Sequence, residues 1–192
     1  VIDHWLFLAG LTLFGIGVLL GLLDRRLLPG QPAGVGIIAL PDAALPGLRA
    51  TAIALLLAAL TFAGSWLEKP EGLDPRTLYE LGNWGGGHVL QVASTAAMVS
   101  VWLLLLSAVL GQPPVSRRAA SFGFAALVLP WAGAPLLAMA GPANVPAREA
   151  FTLLMRWGIF PPVLFFLAAC CLAVTRALRA GVLTRQHLRD HR

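Results

Sequence analysis

The sequence WGGGHVLQVASTAAMVSVWLLLLSAVL, which covers residues 84–110, decides the fold of this chain. It holds no Asp, Glu, Lys or Arg, and it is longer than the roughly 20 apolar residues that a helix needs to cross a bilayer. Three glycines and His88 stand near its beginning. A histidine inside such a stretch is costly to bury without a partner or a ligand. The stretch therefore predicts a membrane-spanning helix, and His88 is its first functional candidate.

The composition extends this prediction to the whole chain. Of its 192 residues, 58% are hydrophobic and 12% are charged, whereas a soluble domain has about 45–50% apolar and about 25% charged residues. The other apolar stretches lack both the charged face of a soluble helix and the alternation of a membrane β-strand. We therefore predict an all-α integral membrane protein, a single domain of residues 1–192 with a bundle of five transmembrane helices at about residues 5–23, 48–67, 84–110, 119–140 and 151–174.

The charged residues lie mainly between these spans and predict their orientation. Basic first and third connections and a basic tail at residues 175–192 alternate with a second connection that is acidic on balance. By the positive-inside rule, the N-terminus lies outside and the tail lies in the cytoplasm, in a multi-pass protein of the inner (cytoplasmic) membrane. The net charge of +5 then indicates contact with membrane lipid and no nucleic-acid partner. Because Val1 stands almost directly at a span, we expect a fragment of a longer protein.

The neighbours of His88 on its own helix form a polar face. Gln91 and Thr95 follow at the third and seventh positions, so they lie on the same side of the helix as His88. They are explained equally well as hydrogen-bonding groups between helices. One helical turn before His88 lacks side chains, which allows another backbone or a flat cofactor to come close; its residues are Gly85, Gly86 and Gly87.

Two later spans are interrupted by prolines at about the predicted depth of His88. The fourth span contains Pro130 and Pro135, and the fifth contains Pro161 and Pro162. Prolines bend helices and free backbone carbonyls, which is tolerated where protein or a cavity covers the gap. This convergence predicts a site in the outer half of the membrane.

Arg156, just before the second proline pair, is another candidate because it is a charge within a span. Either its side chain extends to the outer interface, or its guanidinium pairs with an anionic group such as a cofactor carboxylate. The adjacent Cys170 and Cys171 are interpreted as small packing residues. The spans contain no Ser/His/Asp set, phosphate loop or zinc-binding pair. No catalytic residue is therefore assigned.

The stretch DPRTLYELGNWGGGHVLQ, residues 74–91, resembles the start of the sixth helix of haem-copper oxidase subunit I, in a divergent branch of that family. There an Asp-Pro loop leads through a Leu-Tyr and a Trp to a Gly-His whose histidine is a copper ligand. The match places Trp84 and His88 on those positions. It implies that the five spans are the fourth to eighth helices of a twelve-helix subunit, with haem ligands outside this chain and other respiratory-chain subunits as partners.

The chain also departs from the family pattern. The main branch has Pro-Glu-Val-Tyr after the histidine, whereas His88 is followed by Val89-Leu90-Gln91-Val92, without the tyrosine. The fourth span contains no histidine where the family has a His-His pair. A single imidazole does not hold copper firmly. We therefore expect His88 to contact a metal or haem, or only a hydrogen-bond partner such as a backbone carbonyl.

Two functional hypotheses follow. The first is a cytochrome c oxidase subunit I-like respiratory protein that passes electrons through haem and copper to oxygen or nitric oxide. The second is a non-catalytic scaffold, sensor or assembly relative that has lost the metal centre. A transporter that uses the broken helices is a third, less supported alternative. On the first hypothesis the metal ligand is His88, and the cofactor contacts are Trp84, Gly85, Gly86, Gly87 and Arg156.

Overall fold

The computed structural model describes residues 4–22 and 42–182, and these residues form helices and turns without a β-strand. Within these two ranges there are seven α-helices, with a 3-10 turn after the fourth and a π-helical turn after the sixth. In chain order the segments are α1 (Trp5–Leu22), α2 (Leu45–Leu67), α3 (Pro75–Leu110), α4 (Arg117–Val128), the 3-10 turn (Leu129–Trp131), α5 (Ala134–Ala138), α6 (Val145–Leu154), the π-helical turn (Met155–Ile159) and α7 (Phe160–Arg179).

Four helical stretches within the described residues are long and apolar enough to cross a membrane. They are Leu45–Leu67, Pro75–Leu110, Arg117–Ala138 and Val145–Arg179. The predicted class, an all-helical multi-pass membrane protein, is thus supported. The first predicted span coincides with α1, but the count of five crossings and the orientation stay predictions. Residues 23–41 of the first connection and most of the basic tail lie outside the described residues.

Helix α3 begins at Pro75, nine residues before the predicted start of its span. The Asp74 side chain caps it by accepting hydrogen bonds from the backbone N–H groups of Arg76 and Thr77, each at 3.1 Å. With 36 residues the helix is about 54 Å long, so it exceeds the roughly 30 Å hydrocarbon core. The helix extends beyond the predicted span because hydropathy marks only the apolar part of a helix, whereas capping determines where it starts.

Helices α2 and α3 pack as an antiparallel pair along a seam of small side chains. The buried positions of α2 include Ala50, Ala54 and Ala58, which face Ala93 and Ala96 of α3 within one core. Lipid tails are as apolar as a protein core, so van der Waals packing drives helix association in a membrane, and small residues let two backbones approach closely. The pair therefore forms the centre of the bundle.

The later helices cover this pair and are irregular at their prolines. A 3-10 turn at Pro130 interrupts the fourth span and places the wholly buried Trp131 in the core. The π-helical turn ends immediately before Phe160, and the two next residues are Pro161 and Pro162. Proline supplies no N–H to the carbonyl four residues earlier, which explains the wide turn there. Both predicted interruptions are therefore present.

Candidate functional site

The imidazole of His88 is held by its own helix. Its Nδ1 lies 2.7 Å from the backbone oxygen of Trp84. A carbonyl oxygen only accepts hydrogen bonds, so Nδ1 is the nitrogen that donates in this contact. The ring of Trp84 lies 5.0 Å from the imidazole, between centroids, and that of Phe151 lies 6.4 Å away. His88 thus has the backbone-carbonyl partner that was one of its two predicted environments.

The three glycines before His88 have different surroundings. A Cβ atom on Gly85 would lie 2.8 Å from Cζ of Phe151, and one on Gly86 would overlap the ring of Phe62. A Cβ on Gly87 would meet nothing within 4 Å. Aromatic side chains of α2 and α6 therefore fill the space at two of the three positions. A flat cofactor at this turn would have to displace two phenylalanine rings.

The described residues do not complete a metal site at His88. Within 4–22 and 42–182 no group of three or more His, Cys, Asp or Glu side chains is placed to hold a metal ion. Copper in an oxygen-reducing site needs several nitrogen ligands and an open position, and no such set surrounds His88 among the described residues. A haem that approached the glycine turn would have to displace the rings of Phe62 and Phe151. The predicted copper and haem would both need groups from outside the described residues.

Arg156 lies with polar residues of α3 and not with His88. It lines a surface groove of about 520 Å³ between α3 and the π-helical turn, which we call the lateral groove; its lining residues are Gln91, Ser94, Thr95, Met155, Arg156, Ile159 and Phe160. Gln91, Ser94 and Arg156 are exposed, and Thr95 is half-buried. The structure thus joins Arg156 to the Gln91 and Thr95 part of the predicted polar face.

The groove lies well below the membrane boundary. Thr95 follows Trp84, the predicted outer end of its span, by eleven residues, and Arg156 follows Phe151, the predicted start of the fifth span, by five. At 1.5 Å per residue these positions lie about 16 Å and about 8 Å along their helices, so both fall within a hydrocarbon core of about 30 Å. A guanidinium and an amide therefore share one groove at membrane depth.

Two further polar groups were not recognised from the sequence. The indole Nε1 of Trp131 and the Nε of Arg148 are buried without a hydrogen-bond partner among the described residues. Arg148 lines a small cavity of about 10 Å³ beside Trp84 and Gly85, the size of one water molecule. In the sequence Arg148 is adjacent to Glu149, whose charge cancels its own, and only the structure shows that the Arg148 Nε is buried.

Comparison with known proteins adds one relative and no function. No family model matches the chain, and no solved structure matches it. A protein of Aquifex aeolicus (strain VF5) described as "Uncharacterized protein" is 33% identical over 105 residues. That match covers 55% of this chain and 26% of the relative. The chain thus matches about a quarter of the relative's length, and the similarity leaves its family open.

Proposed function

We propose that this chain is a non-catalytic membrane protein that assembles with another transmembrane segment through the lateral groove. The observation that carries the proposal is the grouping of Gln91, Ser94, Thr95 and Arg156 on one outward surface at membrane depth. The occupant is a membrane-spanning helix that presents a carboxylate to Arg156.

The contrast between the two sides of α3 supports this proposal. The side that faces the bundle is apolar and almost inaccessible, with Val92, Ala93, Ala96 and Val99 each at most 1% exposed. The polar side chains of the groove face away from that core. Lipid tails offer no hydrogen bonds, so exposed polar groups at this depth favour a protein partner.

The chemistry of the groove specifies the partner. The Thr95 hydroxyl already donates to the backbone oxygen of Gln91 at 2.7 Å, so it has only acceptor capacity left. The Gln91 amide and the Arg156 guanidinium supply donors. Arginine binds carboxylates through two parallel N–H groups. An Asp or Glu on a neighbouring helix therefore satisfies the groove better than an apolar helix does.

The environment of His88 supports a non-catalytic role. Its Nδ1–H is used within α3, and its ring packs between Trp84 and Phe151. These contacts explain the histidine as a packed, hydrogen-bonded residue without a bound group. On this proposal the site of function is the groove, and His88 stabilises the helix pair beside it.

The size of the complex extracted from native membranes tests the proposal. Full-length protein carrying Arg156→Leu is compared with wild type in a mild detergent by native electrophoresis. Truncating one member of a desolvated charge pair typically costs about 2–5 kcal/mol. We therefore expect the dissociation constant of the larger complex to rise at least about 30-fold. Trp157→Leu, at the adjacent exposed position outside the groove, is the matched control. A complex unchanged by Arg156→Leu would contradict the proposal.

A second candidate is the haem-copper oxidase subunit I-like protein of the first hypothesis. It is favoured by the Nδ1 contact with the Trp84 oxygen, since metal-bound histidines usually donate their other ring N–H to such a group. The missing ligands would come from outside the described residues. Purified full-length protein with a haem absorbance band and bound copper, both reduced by His88→Ala, would support it. Protein without either group would contradict it.

A further inference from the structure

A second surface, on the opposite side of α2 from the glycine turn, combines two arginines with an apolar wall. It is a cleft of about 310 Å³ between α2 and α4, which we call the basic cleft. Arg49 and Arg117 line one end of it, and Ile53, Ala125 and Leu129 line its length. We propose that this cleft binds one anionic phospholipid, with the phosphate at the arginines and an acyl chain along the apolar wall.

The topology places both arginines at the same end of the bundle. Helix α3 is antiparallel to α2 and is followed after a short connection by α4, so α2 and α4 start at the same membrane boundary. Arg49 lies in the second turn of α2, and Arg117 is the first residue of α4. The partial positive charge at two helix N-termini adds to the two guanidinium groups. Charge thus favours an anion at this end of the cleft.

The apolar wall has the length of one lipid leaflet. Leu129 follows Arg117 by twelve residues, which corresponds to about 18 Å of helix, and half of a hydrocarbon core is about 15 Å. Leu129 and Ile53 are 68% and 53% exposed, so the wall is open to a chain lying on it. The helix changes to a 3-10 turn at Leu129, and the wall ends there. A charged end and a leaflet-long apolar wall match a phospholipid better than a free ion.

The sign of the charge selects among lipids. The residues that line the basic cleft include two arginines and the hydroxyl of Ser121, with no Asp or Glu among those that the structure describes. A phosphate with net negative charge, as in phosphatidylglycerol, gains from both arginines. A zwitterionic headgroup such as phosphatidylcholine carries an ammonium that cancels part of this attraction. Basic pockets between transmembrane helices are known to bind anionic headgroups.

Native mass spectrometry of the full chain in detergent tests this proposal. Phosphatidylglycerol and phosphatidylcholine are added at equal concentration to wild type and to the double variant Arg49→Gln/Arg117→Gln. At about a sixfold loss of affinity for each basic group near the membrane surface, we expect the double variant to bind phosphatidylglycerol about 30-fold more weakly. The matched control is Arg176→Gln/Arg179→Gln, which removes the same charge at the end of α7 and is expected to retain the lipid.

A third variant tests the apolar wall separately and applies even if the double variant fails to fold. Ala125→Trp keeps both arginines and fills the cleft, so we expect it to lose phosphatidylglycerol too. Equal retention of the two lipids by wild type would overturn the proposal. The same loss in the α7 control, or displacement of the lipid by an equal concentration of inorganic phosphate, would also overturn it, because either result indicates non-specific charge or a simple ion site.

Discussion

At the scale of single residues, adjacent glycines in α3 serve different purposes. Gly86 is required because the Phe62 ring occupies the position of its Cβ, whereas Gly87 faces open space. The triplet looks uniform in the sequence, and both a close backbone and a flat cofactor would explain it. The identity of the actual occupant depends on α2 and α6, which are distant in the chain. The sequence alone therefore predicts close approach at this turn but not what approaches.

This difference predicts opposite effects of the same substitution. Gly86→Ala forces its new methyl group against Phe62, and overpacking of this kind costs about 1–3 kcal/mol. Gly87→Ala adds a methyl group in open space and gains helix propensity of about 1 kcal/mol. The midpoint temperature of thermal unfolding in detergent is expected to fall for Gly86→Ala and to stay level or rise for Gly87→Ala. Equal effects would show that Phe62 does not pack on this turn.

His88 is expected to tolerate replacement by another aromatic residue. His88→Phe keeps a ring between Trp84 and Phe151 and loses one hydrogen bond within the helix. Such a bond contributes about 0.5–1.5 kcal/mol net. We expect a stability change within that range and an unchanged complex on native electrophoresis. Loss of the complex in His88→Phe would place the histidine at the functional surface and contradict the role that we propose for it.

At the scale of elements, the start of α3 shows which local signals outweigh hydropathy. Asp74-Pro75 is a capping residue followed by proline at the first helical position, which is a known start signal. The segment after it is polar and therefore falls outside the predicted span of residues 84–110. An exposed ion pair between Arg76 and Glu80, at 3.1 Å, lies on this extension. The signal was available in the sequence, but the membrane boundary was mistaken for the helix boundary.

The cap makes the first turn of α3 sensitive to pH. Hydrogen bonds from the hydroxyl and the backbone N–H of Thr77 hold the pKa of Asp74 below its ordinary value. Because the pKa is lower in the folded state, the cap makes its full contribution to stability above the ordinary pKa of about 3.9. That contribution is lost as pH falls through the lowered value. In hydrogen exchange at pH 7, we expect Asp74→Ala to reduce the protection of the Arg76 and Thr77 amides. Protection unchanged in the variant would show that the side chain does not cap the helix.

The proline-broken elements were predicted more fully. The positions of Pro130 and Pro161-Pro162 indicate where two spans lose regularity, because the missing N–H is a property of the residue itself. The type of irregularity was not predicted. Both a 3-10 turn and a π-helical turn are compatible with the sequence, and packing selects between them. In the π-helical turn, for example, Gly158 packs closely on Trp131, since a Cβ there would lie 3.0 Å from the indole nitrogen.

At the scale of the whole molecule, the fold class follows from the sequence because long uncharged stretches admit few structures. Backbone groups must be satisfied internally in lipid, so each stretch becomes a helix. Which faces meet is less predictable, since the small-residue seam of α2 and α3 has a weak amphipathic signal. The position of Arg156 within a span follows from the sequence, but its place beside Gln91 and Thr95 required the packing of the π-helical turn against α3.

The lateral groove and the basic cleft are two separate surfaces of the molecule with different proposed partners. The lateral groove lies between α3 and the π-helical turn, and the basic cleft lies between α2 and α4 at the end where both helices begin. They share no lining residue. We therefore expect Arg156→Leu to leave the binding of phosphatidylglycerol unchanged. Native mass spectrometry of that variant checks this independence, and a parallel loss of lipid would mean that the two surfaces are coupled.

The most direct test of the central proposal is photo-crosslinking in native membranes. A photoreactive residue replaces Ser94 in the lateral groove. In a control variant of the same protein it replaces Phe122, which is 76% exposed on α4 outside the groove. We predict a discrete protein adduct at Ser94 whose partner peptide is a transmembrane segment with an Asp or Glu, and a sharp loss of this adduct in Arg156→Leu. Only lipid adducts at Ser94, or the same protein adducts at both positions, would contradict the proposal.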